Sequence, residues 1–140
     1  MTPKQVAQVQ QSFAMVAPVA DEAAARFYGR LFEIAPHLRP LFRGDIAEQG
    51  RKLMATLTVV VNGLTNLDAI LPAASALAKR HVDYGVRPDH YRPVGMALLW
   101  TLERSLGPQW TPDLAAAWTA AYTTLTDYMI GEAYGRSEVA

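Results

Sequence analysis

The sequence contains no cysteine, and this absence removes several kinds of site at once. Without thiols the chain can form no disulfide, offers no thiolate nucleophile and supplies no ligands for an iron–sulfur cluster. Cofactors that attach through thioether bonds are excluded for the same reason. A prosthetic group that other proteins hold through thioether bonds would therefore be bound non-covalently here.

An excess of charge of one sign is also absent. The 13 lysine and arginine residues balance 13 aspartate and glutamate residues, so the formal net charge at pH 7 is +0. A neutral chain sets up no field that would concentrate phosphate backbones or anionic lipids at its surface. Nucleic acid is therefore not an expected partner.

The hydrophobic runs are too short to cross a membrane. The apolar stretch at residues 56–64 is interrupted by Asn62 and Gly63, well short of the roughly 20 residues that a membrane span needs. The first residues show no basic segment followed by an apolar core and a cleavage site. We therefore expect a cytoplasmic protein without membrane insertion.

The composition favours one helical domain. Of the 140 residues, 51% are hydrophobic and 19% are charged, which suits one sizeable core better than two. Apolar residues recur at helical spacing along nearly the whole chain, and no segment shows the sustained alternation of a surface strand. The sequence predicts an all-α fold with a single domain over residues 1–140. Helices are expected at about 3–18, 19–35, 45–64, 68–84, 88–106 and 111–133, with a tight helical corner at 36–42.

Two predicted helices carry a polar residue on an otherwise apolar face. Gln49 interrupts the inward stripe of helix 45–64, and His81 lies on the inward face of helix 68–84. Taken alone, such a histidine is commonly a core residue and such a glutamine usually faces solvent. If the two helices fold face to face, however, they can hold a flat cofactor between amide and imidazole. Imidazole is the usual proximal ligand of haem iron in gas-binding proteins.

Two further residues extend this hypothesis. Leu53 lies one turn after Gln49 and would line the same face. Tyr28, beside the apolar stripe of helix 19–35, is a second inward-tending hydrogen-bond donor. O2 bound to haem carries partial negative charge, so two nearby donors would stabilise it. A buried tyrosine also serves simply to satisfy one core hydrogen bond, so the joint placement of the two donors carries the argument.

Several short motifs follow one another in a recognisable order over nearly the whole chain. They are FYGRLF at 27–32, PHLRPLF at 36–42, EQ at 48–49, KRH at 79–81, HY at 90–91 and WTAAY at 118–122. In this order and spacing the chain resembles the single-domain bacterial haemoglobins and the globin domain of flavohaemoglobins. The resemblance implies a globin fold around a haem b group and reversible binding of O2, CO and NO.

The resemblance also implies a role for individual residues. His81 corresponds to the proximal iron ligand, Phe42 to the corner phenylalanine that packs flat on the porphyrin, and Tyr28 to the distal tyrosine. Gln49 stands where many animal globins have a distal histidine. Leu53 corresponds to the bulky apolar residue that limits the ligand pocket.

On the proximal side, Tyr91 corresponds to a tyrosine near the start of the penultimate helix. In flavohaemoglobins this tyrosine and a late glutamate hydrogen-bond around the proximal histidine and make it more anionic. Glu132 is the matching candidate. Counted from Tyr122, it stands one residue short of the usual register, which on a helix is a rotation of about 100°.

The remaining aromatic and cationic residues suggest structural roles. Packing is favoured for the three tryptophans, and exposed or capping positions are favoured for His37 and His90. Because neither histidine is placed to close the sixth position of the iron, a five-coordinate ferrous state is expected. Weak candidates for contacts with haem propionates are Arg51, Lys52, Lys79 and Arg80.

The sequence leaves three kinds of function open. The first is an oxygen-binding protein for storage, delivery or scavenging. The second is a nitric oxide dioxygenase working with a separate reductase, or a gas sensor built on the same pocket. The third is a haem-free interaction module, against which His81 argues. A monomer and a homodimer are both compatible with the sequence.

Overall fold

A computed structural model describes residues 1–42, 44–83 and 85–134. Its helices are α1 (Pro3–Val16), α2 (Ala20–Ile34), α3 (Ile46–Asn62), α4 (Leu67–Asp83), α5 (Tyr91–Leu106) and α6 (Pro112–Tyr134). Short 3-10 turns join them at Ala17–Val19, Pro36–Leu41, Gly63–Thr65, Pro88–His90 and Gly107–Gln109. The turn Pro36–Leu41 is called the corner below, and Pro88–His90 the 88–90 turn. The described residues contain no β-strand, which confirms the all-α prediction.

Side-chain caps begin three of the helices where the sequence predicts a start. The Thr2 hydroxyl accepts a hydrogen bond from the Gln5 backbone, and the Gln5 side chain accepts one from the Thr2 backbone. Asp45 caps α3 by accepting from the backbone of Ala47. Thr111 caps α6 in the same way. These bonds satisfy amide groups that have no partner inside the helix.

The helix ends at Gly85 and Gly107 also follow the prediction. Gly85 has φ +91° and Gly107 has φ +55°, in the region where a side chain would cost energy. The start of α5 differs from the prediction, because residues 88–90 form a 3-10 turn before the α-helix begins. The backbone N–H of His90 donates to the carbonyl of Arg87 at 2.9 Å, and this three-residue bond tightens the first turn.

The buried residues form two clusters. In the larger cluster α2 packs against α3 and α5, and α1 packs against α6. Its most deeply buried large side chains are Val9, Val16, Leu31 and Leu38. The smaller cluster lies where α4 packs against α6 and contains Ala74, Ala78, Tyr91 and Met129.

The geometry of α3 and α4 positions the candidate site. They meet at the turn Gly63–Thr65, where an added Cβ at Gly63 would clash with Cγ2 of Ile70. Beyond this contact α3 joins the larger cluster and most of α4 joins the smaller one. Gln49 and His81 each lie about 20 Å from the turn, at 1.5 Å per helical residue. Both residues therefore lie near the ends of their helices that are remote from the turn.

The tryptophans have the packing roles expected of them. Trp118 is buried, and its Nε1 donates to the hydroxyl of Ser12 at 2.9 Å, which ties α6 to α1. Trp110 packs at the edge of the larger cluster. Trp100 lies between the guanidinium groups of Arg30 and Arg104, at 5.2 and 5.0 Å from its ring centroid. Among the described helices, none is both long and apolar enough to cross a bilayer.

Candidate functional site

The start of α3 faces the middle of α2 through a direct hydrogen bond. The Tyr28 hydroxyl donates to the backbone carbonyl of Gln49 at 3.3 Å. Tyr28 is 4% exposed, whereas Gln49 is only partly buried. Burial raises the pKa of Tyr28 to about 12, because a phenolate would lose its hydration. The hydroxyl therefore keeps its proton and remains a donor throughout the physiological pH range.

A glycine allows these two helices to approach. A Cβ built at Gly50 would lie 2.9 Å from the Cβ of Ala24 and 3.9 Å from the ring of Tyr28. Any side chain at position 50 would therefore push α3 away from α2. The signal for this contact in the sequence is a glycine one residue after the inward glutamine.

Aromatic rings surround Tyr28. Phe42, at the end of the corner, meets Tyr28 edge to face with ring centroids 5.3 Å apart. Phe32 lies one turn after Tyr28, 5.9 Å from its ring and 5.5 Å from that of Phe42. The guanidinium of Arg39 covers the Phe32 ring at 4.9 Å. Phe32 was not assigned a role from the sequence, although its spacing from Tyr28 predicts contact.

Leu53 follows one turn after Gln49, as predicted. It is half-buried and packs against the larger cluster. The structure therefore brings Tyr28, Phe42, Gln49 and Leu53 together on the α2–α3 side of the molecule.

The other side is formed by α4 and the start of α5. The ring of His81 stacks on the ring of Tyr91 with centroids 6.3 Å apart and an interplanar angle of 12°. Burial lowers the pKa of His81 below its ordinary value of 6.5, an interaction with the Leu77 backbone partly opposes this, and Arg80 adds to it. At neutral pH the imidazole is therefore uncharged, which is the form that binds a metal.

Tyr91 is held in turn by α6. Its backbone carbonyl accepts a hydrogen bond from the hydroxyl of Tyr122. A Cβ at Gly95 would lie 2.5 Å from the Tyr122 ring, so this glycine makes room for the contact. Tyr122 was used in the sequence analysis only as part of a motif, and its contact with Tyr91 was not foreseen.

Glu132 lies outside this group. Its carboxylate accepts hydrogen bonds from the Ser75 hydroxyl at 2.9 Å and from the Tyr128 hydroxyl at 3.3 Å, and its side chain is exposed. The bond to Ser75 joins α6 to α4, and the bond to Tyr128 lies within α6. The register offset noted in the sequence has a visible result, because the carboxylate meets residue 75 rather than the ring at residue 81.

The two histidines assigned structural roles occupy such positions. His37 is exposed on the corner, and His90 caps the 88–90 turn through Nδ1. The four cationic candidates for propionate contacts are all exposed, and Lys52 lies 3.9 Å from Glu48.

The corner and the residue that follows it contact both sides of the site. Its Leu41 side chain lies 3.4 Å from the position of a Cβ at Gly85, just beyond the end of α4. Phe42 directly follows this contact. The corner thus links the α2–α3 side, which carries Gln49, to the α4–α5 side, which carries His81.

The donor set fits a flat iron-containing cofactor. The site contains one neutral imidazole on α4, a hydroxyl on α2 and an amide on α3. Across residues 1–42, 44–83 and 85–134 no three histidine, aspartate or glutamate side chains cluster as ligands for a bare metal ion. A porphyrin supplies four ligands itself and needs only an axial one from the protein.

Comparison with known proteins decides the family. The sequence model of the family described as Globin matches residues 25–129. The chain belongs to the globin family. The match covers most of α2, the corner, all of α3 to α5 and most of α6, and it includes every residue of the candidate site. Membership implies a haem cofactor and a small gas ligand.

The relatives of this globin include longer bacterial proteins. It is 30% identical to a flavohemoprotein from Rhodopirellula baltica over 134 residues, which are 94% of this chain and 33% of that protein. It is 37% identical to a flavohemoprotein from Bordetella parapertussis over 114 residues, 79% of this chain and 28% of that protein. The globin thus spans about a third or less of the length of these relatives.

Solved structures confirm the fold. An engineered carbene transferase, described as a putative nitric oxide dioxygenase from Rhodothermus marinus, superposes with a TM-score of 0.87 at 25% identity over 99% of this globin and 97% of that chain. A bacterial globin from Campylobacter jejuni superposes with a TM-score of 0.85 at 21% identity, covering 98% of this globin and 99% of that chain.

Proposed function

We propose that this globin is a single domain that holds haem b through His81 and reversibly binds O2, and also CO and NO, for oxygen storage, delivery or scavenging. The observation that carries the proposal is the placement of a neutral, half-buried imidazole near the end of α4, together with two hydrogen-bond donors near the start of α3 and on α2. When bound, the haem would supply the iron at which a gas binds, and His81 would hold that iron.

The proximal residues in this proposal orient the imidazole. Tyr91 stacks flat on His81 and limits its rotation, and Tyr122 fixes the backbone of Tyr91. Outer residues of this kind set the direction of a metal ligand. The carboxylate of Glu132, bonded to Ser75 and Tyr128, does not contribute to this support.

The distal residues hold a proton where a bound gas would need one. Tyr28 keeps its proton at physiological pH because burial raises its pKa to about 12. The side-chain amide of Gln49 is a donor at any pH. The Tyr28 hydroxyl now donates to the Gln49 carbonyl at 3.3 Å, which is longer than a strong O–H···O bond. Turning this hydroxyl toward a ligand therefore costs little.

Phe42 and Leu53 supply the apolar walls. Phe42 is held edge to face by Tyr28 and Phe32, so its ring has a fixed orientation against which a porphyrin can pack. Leu53 lies one turn after Gln49 and packs its apolar side chain against the larger cluster. An apolar wall with few polar groups is the usual construction of a cofactor pocket.

The test is an absorption spectrum of the purified protein in ferric, ferrous and CO-bound forms, compared with His81→Ala and with His37→Ala as a matched control. We expect a histidine-ligated spectrum from the native protein and from His37→Ala. We expect its loss in His81→Ala, with recovery when imidazole is added. A native-like spectrum of His81→Ala without imidazole would contradict the proposal.

A second candidate is nitric oxide dioxygenation, in which O2 and NO combine to nitrate and the oxidised iron is returned to its ferrous form by an electron from a separate reductase. It is favoured by the flavohemoprotein relatives and by the name of the Rhodothermus marinus protein. Steady-state consumption of NO with and without an added reductase separates this activity from gas binding alone.

A further inference from the structure

A second histidine lies at the start of α5, and the proposed haem site does not use it. His90 is 7% exposed and directly precedes Tyr91. Its Nδ1 accepts a hydrogen bond from the backbone N–H of Arg87 at 3.0 Å. Because Nδ1 acts as the acceptor, it must carry a lone pair, and the neutral ring holds its single proton on Nε2.

This bond is one of a reciprocal pair. The backbone N–H of His90 donates to the carbonyl of Arg87 at 2.9 Å, so two hydrogen bonds join Arg87 and His90 across the 88–90 turn. A second proton on His90 can go only to Nδ1, which then becomes a donor facing another N–H. Protonation therefore removes one of the two bonds and places like partial charges in contact.

The charged groups near His90 come from two elements. Arg87 and Asp89 flank it on the 88–90 turn, and His37 faces it from the corner with ring centroids 6.2 Å apart. Burial is the largest influence and lowers the pKa of His90 below 6.5. Asp89 opposes this effect, while Arg87 and His37 add to it. The bond to Arg87 is therefore intact at neutral pH.

The 88–90 turn supports the proximal side of the pocket. Tyr91 is the next residue, and its ring stacks at 6.3 Å on the ring of His81. The backbone N–H of Tyr91 donates to the Pro88 carbonyl within this turn, and the Tyr91 carbonyl accepts a hydrogen bond from Tyr122. Loss of the cap at His90 therefore weakens the turn that positions the backbone N–H of Tyr91.

We propose that His90 is a proton-sensitive positioning residue: its neutral ring closes the 88–90 turn and holds Tyr91 against His81, and its protonation releases that support. The connection to an iron ligand rests on the proposed function. The bond between Arg87 and His90 does not, and the two parts are tested separately.

The first test follows the amide resonance of Arg87 and the ring resonances of His90 by NMR between about pH 5 and 8, in the CO-bound protein, or in the protein as purified if it takes up no haem. We expect both signals to shift with one midpoint. In His90→Asn, whose side-chain oxygen accepts the same bond without titrating, the Arg87 signal should stay constant. In His37→Gln the midpoint should move to higher pH.

The second test measures the iron–imidazole stretching frequency by resonance Raman in the ferrous protein over the same pH range. We expect the native frequency to fall as His90 takes up its proton, and that of His90→Asn to stay constant. An Arg87 amide that does not follow His90, or equal pH profiles for native protein and His90→Asn, would overturn the proposal. Failure to bind haem would overturn the proposed function. The NMR test would still decide whether protonation of His90 breaks its bond to the Arg87 amide.

Discussion

Replacing Tyr28 by Phe removes one hydroxyl and leaves the ring. The contacts of that ring with Phe42 and Phe32 are aromatic, so they persist in the variant. The lost bond to the Gln49 carbonyl is long, at 3.3 Å, and its removal should cost the fold about 1 kcal/mol or less. The variant should therefore fold and bind haem like the native protein.

The effect on the bound gas should be much larger. A hydrogen bond to a charged partner contributes about 1.5–3 kcal/mol, and every 1.4 kcal/mol is a factor of ten. If Tyr28 donates to bound O2, Tyr28→Phe should release O2 about 10- to 150-fold faster. CO carries less charge when bound, so its release should change far less.

Stopped-flow measurement of O2 and CO dissociation tests this reasoning. Tyr128→Phe is the matched control, because it also removes one tyrosine hydroxyl, here from a bond to Glu132 at 3.3 Å on α6. Its O2 release should match that of the native protein. If Tyr28→Phe released O2 within a factor of about two of the native rate, the hydroxyl would not be a donor to the ligand.

Three further outcomes are expected. Gly50→Val should lower the free energy of unfolding by about 1–3 kcal/mol, seen in chemical denaturation, because its Cβ would lie 2.9 Å from that of Ala24. A denaturation midpoint equal to that of the native protein would show that α2 and α3 are not held at this distance. Glu132→Gln should leave the iron–imidazole frequency unchanged, because the carboxylate bonds to Ser75, and a clear shift would place it on the proximal side. The folded-state pKa values of His81 and His90 are lowered from 6.5, so below that pH the unfolded chain binds more protons. The haem-free protein should therefore lose stability as pH falls through 6.5, and less so when His90→Asn removes one of the two groups. Denaturation midpoints that do not depend on pH would contradict this.

Much of the fold follows from local signals in the sequence. Thr2, Asp45 and Thr111 cap helices because short polar side chains reach the free amides of a first turn. Gly85 and Gly107 end helices because they adopt positive φ without strain. Such signals depend on a few neighbouring residues, and a sequence displays them directly.

The contacts inside the candidate site were less predictable. Tyr28 was predicted to point inward, yet its bond is to the backbone of Gln49 rather than to the amide side chain. Glu132 and Ser75 meet across two helices, and a rotation of one residue on α6 decides that contact. Tyr122 reaches Tyr91 only because residue 95 is a glycine. Each of these depends on how helices distant in sequence pack, which periodicity does not encode.

The tight contact between Gly63 and Ile70 lies where α3 and α4 meet, and it limits the angle between the two helices. At about 20 Å from this pivot, a change of about 3° in the angle between the helices shifts their far ends by about 1 Å relative to each other. The relative position of Gln49 and His81 thus depends in part on the contact between Gly63 and Ile70, which involves neither of them. Variation at position 63 or 70 offers a way to widen or narrow the pocket while every side chain that lines it stays the same.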